Sequence, residues 1–245
     1  MNTLGLILTT IAGLTTLLGT IIIFISKNNK IIPKALSFAA GVMITVSIID
    51  LIPESFNYIN KTFKLTPALL IIGIFISIGI IISMTIDKYI NPRREGELYK
   101  IGIISMIAII LHNIPEGIIT YISTEINIKL GLSLTIAIAL HNIPEGISIA
   151  VPIYYSTKSR GKALLYTLTS ALSEPLGALL ACLFLSKIMN NIIIGIILSI
   201  VAGIMIQIAT YELIPTSLKY KNKKQTIIYI LIGIIFMFLN HLIIK

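Results

Sequence analysis

Charge is scarce in this chain. Asp, Glu, Lys and Arg together supply 12% of 245 residues, about half the share of an ordinary soluble domain. A single cysteine, Cys182, excludes an internal disulfide, and no Cys-x-x-Cys or Cys/His finger spacing exists. That residue reads as small core filler, the usual fate of a free thiol. There is no low-complexity tract, no linker and no hydrophilic stretch long enough for a soluble domain, so residues 1–245 read as one transmembrane domain. The net charge of +9 does not indicate nucleic acid, because the basic residues are scattered through short loops and form no continuous patch.

What remains is apolar. Hydrophobic residues make up 56% of the chain and the mean hydropathy is +0.98, values that require lipid as the solvent. A spanning helix needs about 20 mostly apolar residues. Eight segments qualify: Leu4–Ser26, Ile32–Pro53, Thr66–Ile86, Ile101–Ser123, Leu130–Tyr155, Ala163–Ser186, Ile192–Ile214 and Thr226–Ile244. The first has no basic region ahead of it and no small-residue cleavage site, and is expected to be a retained helix rather than a signal peptide. The longest hydrophilic break is Asp87–Lys100, where Asn91-Pro92 marks a turn.

Lys and Arg set the orientation. The odd-numbered connections hold 14 of the 19 basic residues, among them Lys27, Lys100, Arg93, Arg94 and Lys219; the other side holds Lys61, Lys64, Lys129, Lys187 and Lys245. The richer side is expected to be cytoplasmic, which places both termini outside. The fold class is therefore an all-α integral membrane protein of eight helices in the cytoplasmic membrane.

Ionisable residues at membrane depth are expensive, with Asp, Lys or Arg costing about 2.5 to 3.5 kcal/mol each on the insertion scale, so they mark function by default. Half of the ten acidic residues (Asp50, Glu116, Glu145, Glu174 and Glu212) lie inside or at the ends of apolar runs. Two runs share a six-residue string, HNIPEG, at His112–Gly117 and His141–Gly146, 29 positions apart. Such a repeat is no accident of composition, because most of its residues are ones that membrane helices avoid.

His and Glu four apart lie on one helix face, one turn from each other. Each string thus presents an imidazole and a carboxylate to one point, with the amide of Asn113 or Asn142 beside it. His112, His141 and Glu174 each lie 12 residues from a flanking lysine, about 18 Å at 1.5 Å per residue and so near mid-depth. Pro115 and Pro144 free the carbonyls of Leu111 and Leu140, and Gly117 and Gly146 permit a bend or a close helix approach. Imidazole with carboxylate suits Zn, Fe, Co, Ni or Mn, and the donors exceed what one tetrahedral Zn needs, so Glu116 and Glu145 are candidates to bridge two ions.

With Ser173-Glu174-Pro175-Leu176-Gly177-Ala178 in the sixth span, the paired HNIPEG helices resemble the ZIP (Zrt/Irt-like) metal transporters, most nearly their bacterial ZupT branch. The strings Asp50–Ser55 (DLIPES) and Tyr211–Pro215 (YELIP) also look like that branch, so the resemblance covers essentially the whole chain. It implies an eight-helix ZIP-like bundle with external termini that carries divalent metal toward the cytoplasm by an elevator-like shift. It further implies two ion positions, one made by His112, Glu116, His141 and Glu145. The other takes Asn113, Asn142 and Glu174 with the shared glutamates. Zn2+ is the expected cargo, with Fe2+, Mn2+, Co2+ or Cd2+ open, and no further cofactor is implied. Unlike many members, the chain has no histidine between Asp87 and Lys100.

Other readings compete. An intramembrane metalloenzyme uses Glu-x-x-His or His-Glu-x-x-His, whereas the spacing here is His-x-x-x-Glu. A metal-gated channel is not excluded by sequence. Asp50 and Glu54, at the outer end of the second span, and Glu212, at the inner end of the seventh, read equally as pathway stations and as helix-end caps or interface residues. They sit on opposite faces, as in an inverted repeat. His241 reads as an interfacial residue, and Tyr58, Tyr121, Tyr155 and Tyr220 as interface anchors. Partners are metal ions and the bilayer, with a homodimer left open and no nucleic acid.

Overall fold

The structure, a computed structural model, describes residues 2–26, 28–89, 96–183 and 190–244. Among them, eight helices are long and apolar enough to cross a membrane: α1 Thr3–Ile25, α2 Ile31–Ile59, α3 Leu65–Tyr89, α4 Gly96–Ile126, α5 Ile128–Thr157, α6 Arg160–Leu183, α7 Asn191–Leu218 and α8 Lys223–Leu242. All eight expected spans are present. Lys27, Arg93, Arg94, Lys187, Lys245 and the Asn91-Pro92 turn lie outside the described residues.

The C-terminal ends differ most at α2 and α7, and the cause is local. The expected span ended at Pro53, yet the helix runs on to Ile59. A π-helical turn, Val46–Leu51, precedes the α-helical segment Ile52–Ile59, and Pro53 sits in the first turn of that segment. In the wider π-turn the Ile52 N–H reaches back five residues to the Ser47 carbonyl, and the helix passes the proline without ending. The same device recurs in α7, where the π-turn Ile208–Leu213 leads into Ile214–Leu218 with Pro215 in its first turn. DLIP and ELIP therefore encode one backbone shape twice, in two helices of opposite direction.

The helices sort into two bundles by their closest packing, α1/α4/α5/α6 and α2/α3/α7/α8, which meet chiefly along α2 and α5. With no hydrophobic drive between helices in lipid, small residues and hydrogen bonds set such contacts. In the first bundle a Cβ on Gly117 would stand 1.9 Å from the Glu174 carbonyl oxygen, and one on Gly146 equally close to that of Thr16. In the second, Gly41 packs on Ile230 and Gly79 on Ile200 in the same manner. Among the described residues no glycine makes such a contact between the bundles. Serines add to the second bundle: Ser55 Oγ lies 2.7 Å from both Ser199 Oγ and the Gly195 carbonyl, and Ser83 donates to Gln207 at 2.5 Å.

Burial follows from this arrangement. The most apolar windows of α2, α4 and α7 are 67% buried, against 17% for α3 and 22% for α8. Leu70, Ile74 and Ile81 on α3 and Leu231 and Ile235 on α8 are exposed, which gives lipid its contact surface. Tyr121 and Tyr155 depart from the anchor reading. Both are buried: the Tyr121 hydroxyl accepts from the Asn2 amide, and that of Tyr155 donates to the Asn28 carbonyl.

Candidate metal centre

Helices α4 and α5 run antiparallel side by side and bring the two HNIPEG strings together. Both continue through Pro115 and Pro144 as helix, so the prolines remove single hydrogen bonds without ending either span. The glycine after each glutamate serves close approach: Gly117 admits α6 and Gly146 admits α1. At that depth neither partner is a regular α-helix. In α6 the helix is interrupted at Leu172, and Glu174 falls in the first turn of Ser173–Leu183. In α1 the stretch Thr16–Ile21 tightens to a 3-10 helix alongside the α5 string. Irregular backbone at membrane depth persists only where protein or a polar cavity covers it.

Every side chain of the expected set is buried: His112, Asn113, Glu116, His141, Asn142, Glu145 and Glu174. The Nε2 of His112 lies 3.2 Å from Glu116 Oε1 and 3.4 Å from Glu145 Oε1, while the Nε2 of His141 lies 3.1 Å from Glu116 Oε1. The two rings stand 6.0 Å apart. One ligand atom from each of His112, His141 and Glu145 falls within 4.8 Å of the others, close enough to share an ion.

The asparagines spend their NH2 groups on protein. Asn142 Nδ2 donates to Glu174 Oε2 at 2.9 Å and to the Ala12 carbonyl at 3.0 Å; Asn113 Nδ2 donates to the Ser170 carbonyl at 3.5 Å. Both amide oxygens are left without a hydrogen-bond partner, as are both oxygens of Glu145, Oε2 of Glu116 and Oε1 of Glu174. A buried acceptor without a donor costs about 1 to 3 kcal/mol, and more when charged. Here six such oxygens lie on the same stretches of α4, α5 and α6 as the two imidazoles. Three carboxylates in so small a volume repel one another, and a divalent cation relieves both the repulsion and the missing donors.

Asp50 and Glu54 are not helix-end caps. Asp50 belongs to the π-turn inside α2, and both residues line a cavity of about 180 Å³ that also reaches Glu116 and His141. The cavity lies between the bundles, with α4 and α5 on one wall and α2, α7 and α8 on the other. Glu212 is elsewhere, half-buried in the π-turn of α7 beside Asp87. His241 departs from the interfacial reading: its Nδ1 lies 2.6 Å from Asp50 Oδ1. Sequence also missed the Ala12 and Ser170 carbonyls, since backbone acceptors carry no residue-type signal.

Comparison with known proteins identifies the family. The profile of the ZIP zinc transporter family matches residues 93–241, which include both HNIPEG strings and Glu174. A zinc transporter ZupT of Streptococcus mutans is 39% identical over 94% of each chain. Another so named, from Oceanobacillus iheyensis, is 39% identical over 96% of this chain and 95% of its own, and one from Clostridium perfringens 36% over 96% and 93%. A profile match over more than half the chain, and relatives matched nearly end to end, make this chain a member of the ZIP transporter family, a transporter rather than an enzyme.

Proposed function

We propose that the protein, acting as one transmembrane domain, carries Zn2+ across the cytoplasmic membrane toward the cytoplasm through a two-ion centre near mid-depth. In this reading His112, Glu116, His141 and Glu145 hold one ion. Asn113, Asn142 and Glu174 hold the second, with Glu116 and Glu145 shared between them. The observation that carries the reading is the set of six buried oxygens that accept no hydrogen bond, beside two imidazoles. Nitrogen and oxygen donors without thiolate suit Zn2+ and also admit Fe2+, Mn2+, Co2+ and Cd2+. The names of the relatives favour zinc.

The Lys/Arg bias supports external termini. The cavity wall includes the late residues of α2 and α8 and the early residues of α5, on the side where the termini lie. On the other side the bundles are tied by ion pairs, Lys100 with Asp87 at 2.5 Å and Lys219 with Glu97. That asymmetry supports reading the arrangement as outward-facing. All seven ligands ride on α4, α5 and α6, so a shift of their bundle against the other would carry the ion with it, as in alternating access.

Uptake of radioactive zinc into proteoliposomes tests the reading. Glu116→Ala and His141→Ala are expected to lower uptake at least 100-fold while inserting normally; near-native uptake in both would refute it.

A further inference from the structure

Outside the central site the chain has one more imidazole, His241, since its three histidines are His112, His141 and His241. It lies near the end of α8, 191 residues from Asp50, yet its Nδ1 meets the Asp50 carboxylate at 2.6 Å. A carboxylate on Nδ1 fixes the ring and leaves the lone pair on Nε2, the arrangement that prepares an imidazole to bind metal. His241 lines the cavity already described, as do Asp50, Glu54 and Asn240.

Asn240 provides an independent observation. It is 97% buried, its Nδ2 donates to the Ala137 carbonyl at 3.3 Å, and its Oδ1 has no partner. The lining holds three carboxylates, from Asp50, Glu54 and Glu116, and no lysine or arginine. A volume of 180 Å³ admits several waters at about 30 Å³ each, room for a cation that keeps part of its hydration. The side chains of His241 and Asp50 are 17% and 30% exposed, against 5% and 8% for His141 and Glu116. The cavity therefore grades from a wetter end at His241 to a dry end at the central site.

We propose that His241, held by Asp50, forms with Glu54 and the Asn240 amide oxygen a capture station for divalent cations at the outer end of this cavity. The station takes a partly hydrated ion and hands it to Glu116 and His141 at the far end. Placing it on the route inward rests on the transport reading above; its ability to bind an ion does not. A tie between α2 and α8 alone would need neither the cavity nor the unpartnered amide oxygen.

Two measurements test it. In His112→Ala/His141→Ala protein, purified without a histidine tag in lipid nanodiscs, His241 is the sole imidazole. One equivalent of Cu2+ is expected to show imidazole 14N modulation in its electron spin echo, abolished by adding His241→Gln. In otherwise native protein, His241→Gln is expected to raise the half-saturating Zn2+ concentration for uptake about tenfold. The loss of rate is expected to be largest at low Zn2+ and to narrow toward saturation. Absence of the imidazole modulation, or an unchanged half-saturating concentration, overturns the station. Failure of the transport reading is read separately, as native uptake in Glu116→Ala protein, and leaves the spin-echo result standing.

Discussion

Gly117 and Glu174 touch backbone to backbone: a Cβ on the glycine would lie 1.9 Å from the glutamate's main-chain carbonyl oxygen. The contact sets the spacing of α4 and α6, and through it the distance from Glu174 to the other donors. Gly117→Ala forces these helices apart, at a cost of about 1 to 3 kcal/mol for overpacking. Zinc affinity is expected to fall at least tenfold with it. Gly73 has nothing within 4 Å of its Cβ position, so Gly73→Ala is expected to change stability by no more than about 1 kcal/mol and affinity not at all. Thermal unfolding and zinc titration of both variants check the contrast.

Asn142 joins three elements through one amide, donating to Glu174 and to the Ala12 carbonyl while leaving its oxygen free. Asn142→Asp keeps the shape, deletes both donors and sets a fourth carboxylate against Glu174. A zinc-binding isotherm is expected to show at least tenfold weaker binding than native protein. Affinity equal to the native value would mean that Asn142 is helix–helix adhesive and no more.

Protons and metal compete for the same lone pairs, since imidazole binds metal only when neutral and carboxylate best when ionised. Occupancy by protons grows as pH falls, so the apparent zinc dissociation constant is expected to rise on going from about pH 7.5 to about pH 5.5, where histidine titrates. Equilibrium binding with the protein held in nanodiscs gives the slope. A flat profile would contradict ligation by His112 and His141.

The bundles are held within themselves by glycine and serine contacts, and between them by fewer polar ties, one being Asn240 to the Ala137 carbonyl. With Cys182 replaced by Ala, a short crosslink between Asn240→Cys and Ala137→Cys joins α8 to α5 across the divide. Uptake is expected to stop and to return on reduction. The same crosslink between Ser83→Cys and Gln207→Cys, both in the second bundle, is expected to leave most uptake intact. Equal behaviour of the two pairs would remove the case for relative motion.

Much of this architecture was legible in the sequence because lipid imposes length and composition on every span. The seven buried polar residues of α4, α5 and α6 were legible too, since His, Asn and Glu in an apolar run stand out against a strong energetic bias. What escaped were features decided by packing. The π-turns before Pro53 and Pro215 follow from where the helices must meet, and the break at Leu172 has no glycine or proline at its own position. Tyr121 looked like an anchor by its place near a span end, yet it fills the space between α1, α4 and α6. His241 and Asp50 are too far apart in sequence for any local pattern to pair them.

The most direct test of the buried site is the zinc X-ray absorption spectrum of His241→Gln protein in nanodiscs, where His112 and His141 supply the only imidazoles. The spectrum is expected to show nitrogen and oxygen donors at about 2.0 to 2.1 Å with imidazole scattering that disappears in the further His112→Ala/His141→Ala variant. Zinc bound without imidazole in its shell, or no zinc retained at all, would contradict the assignment of those two helices as the ion's seat.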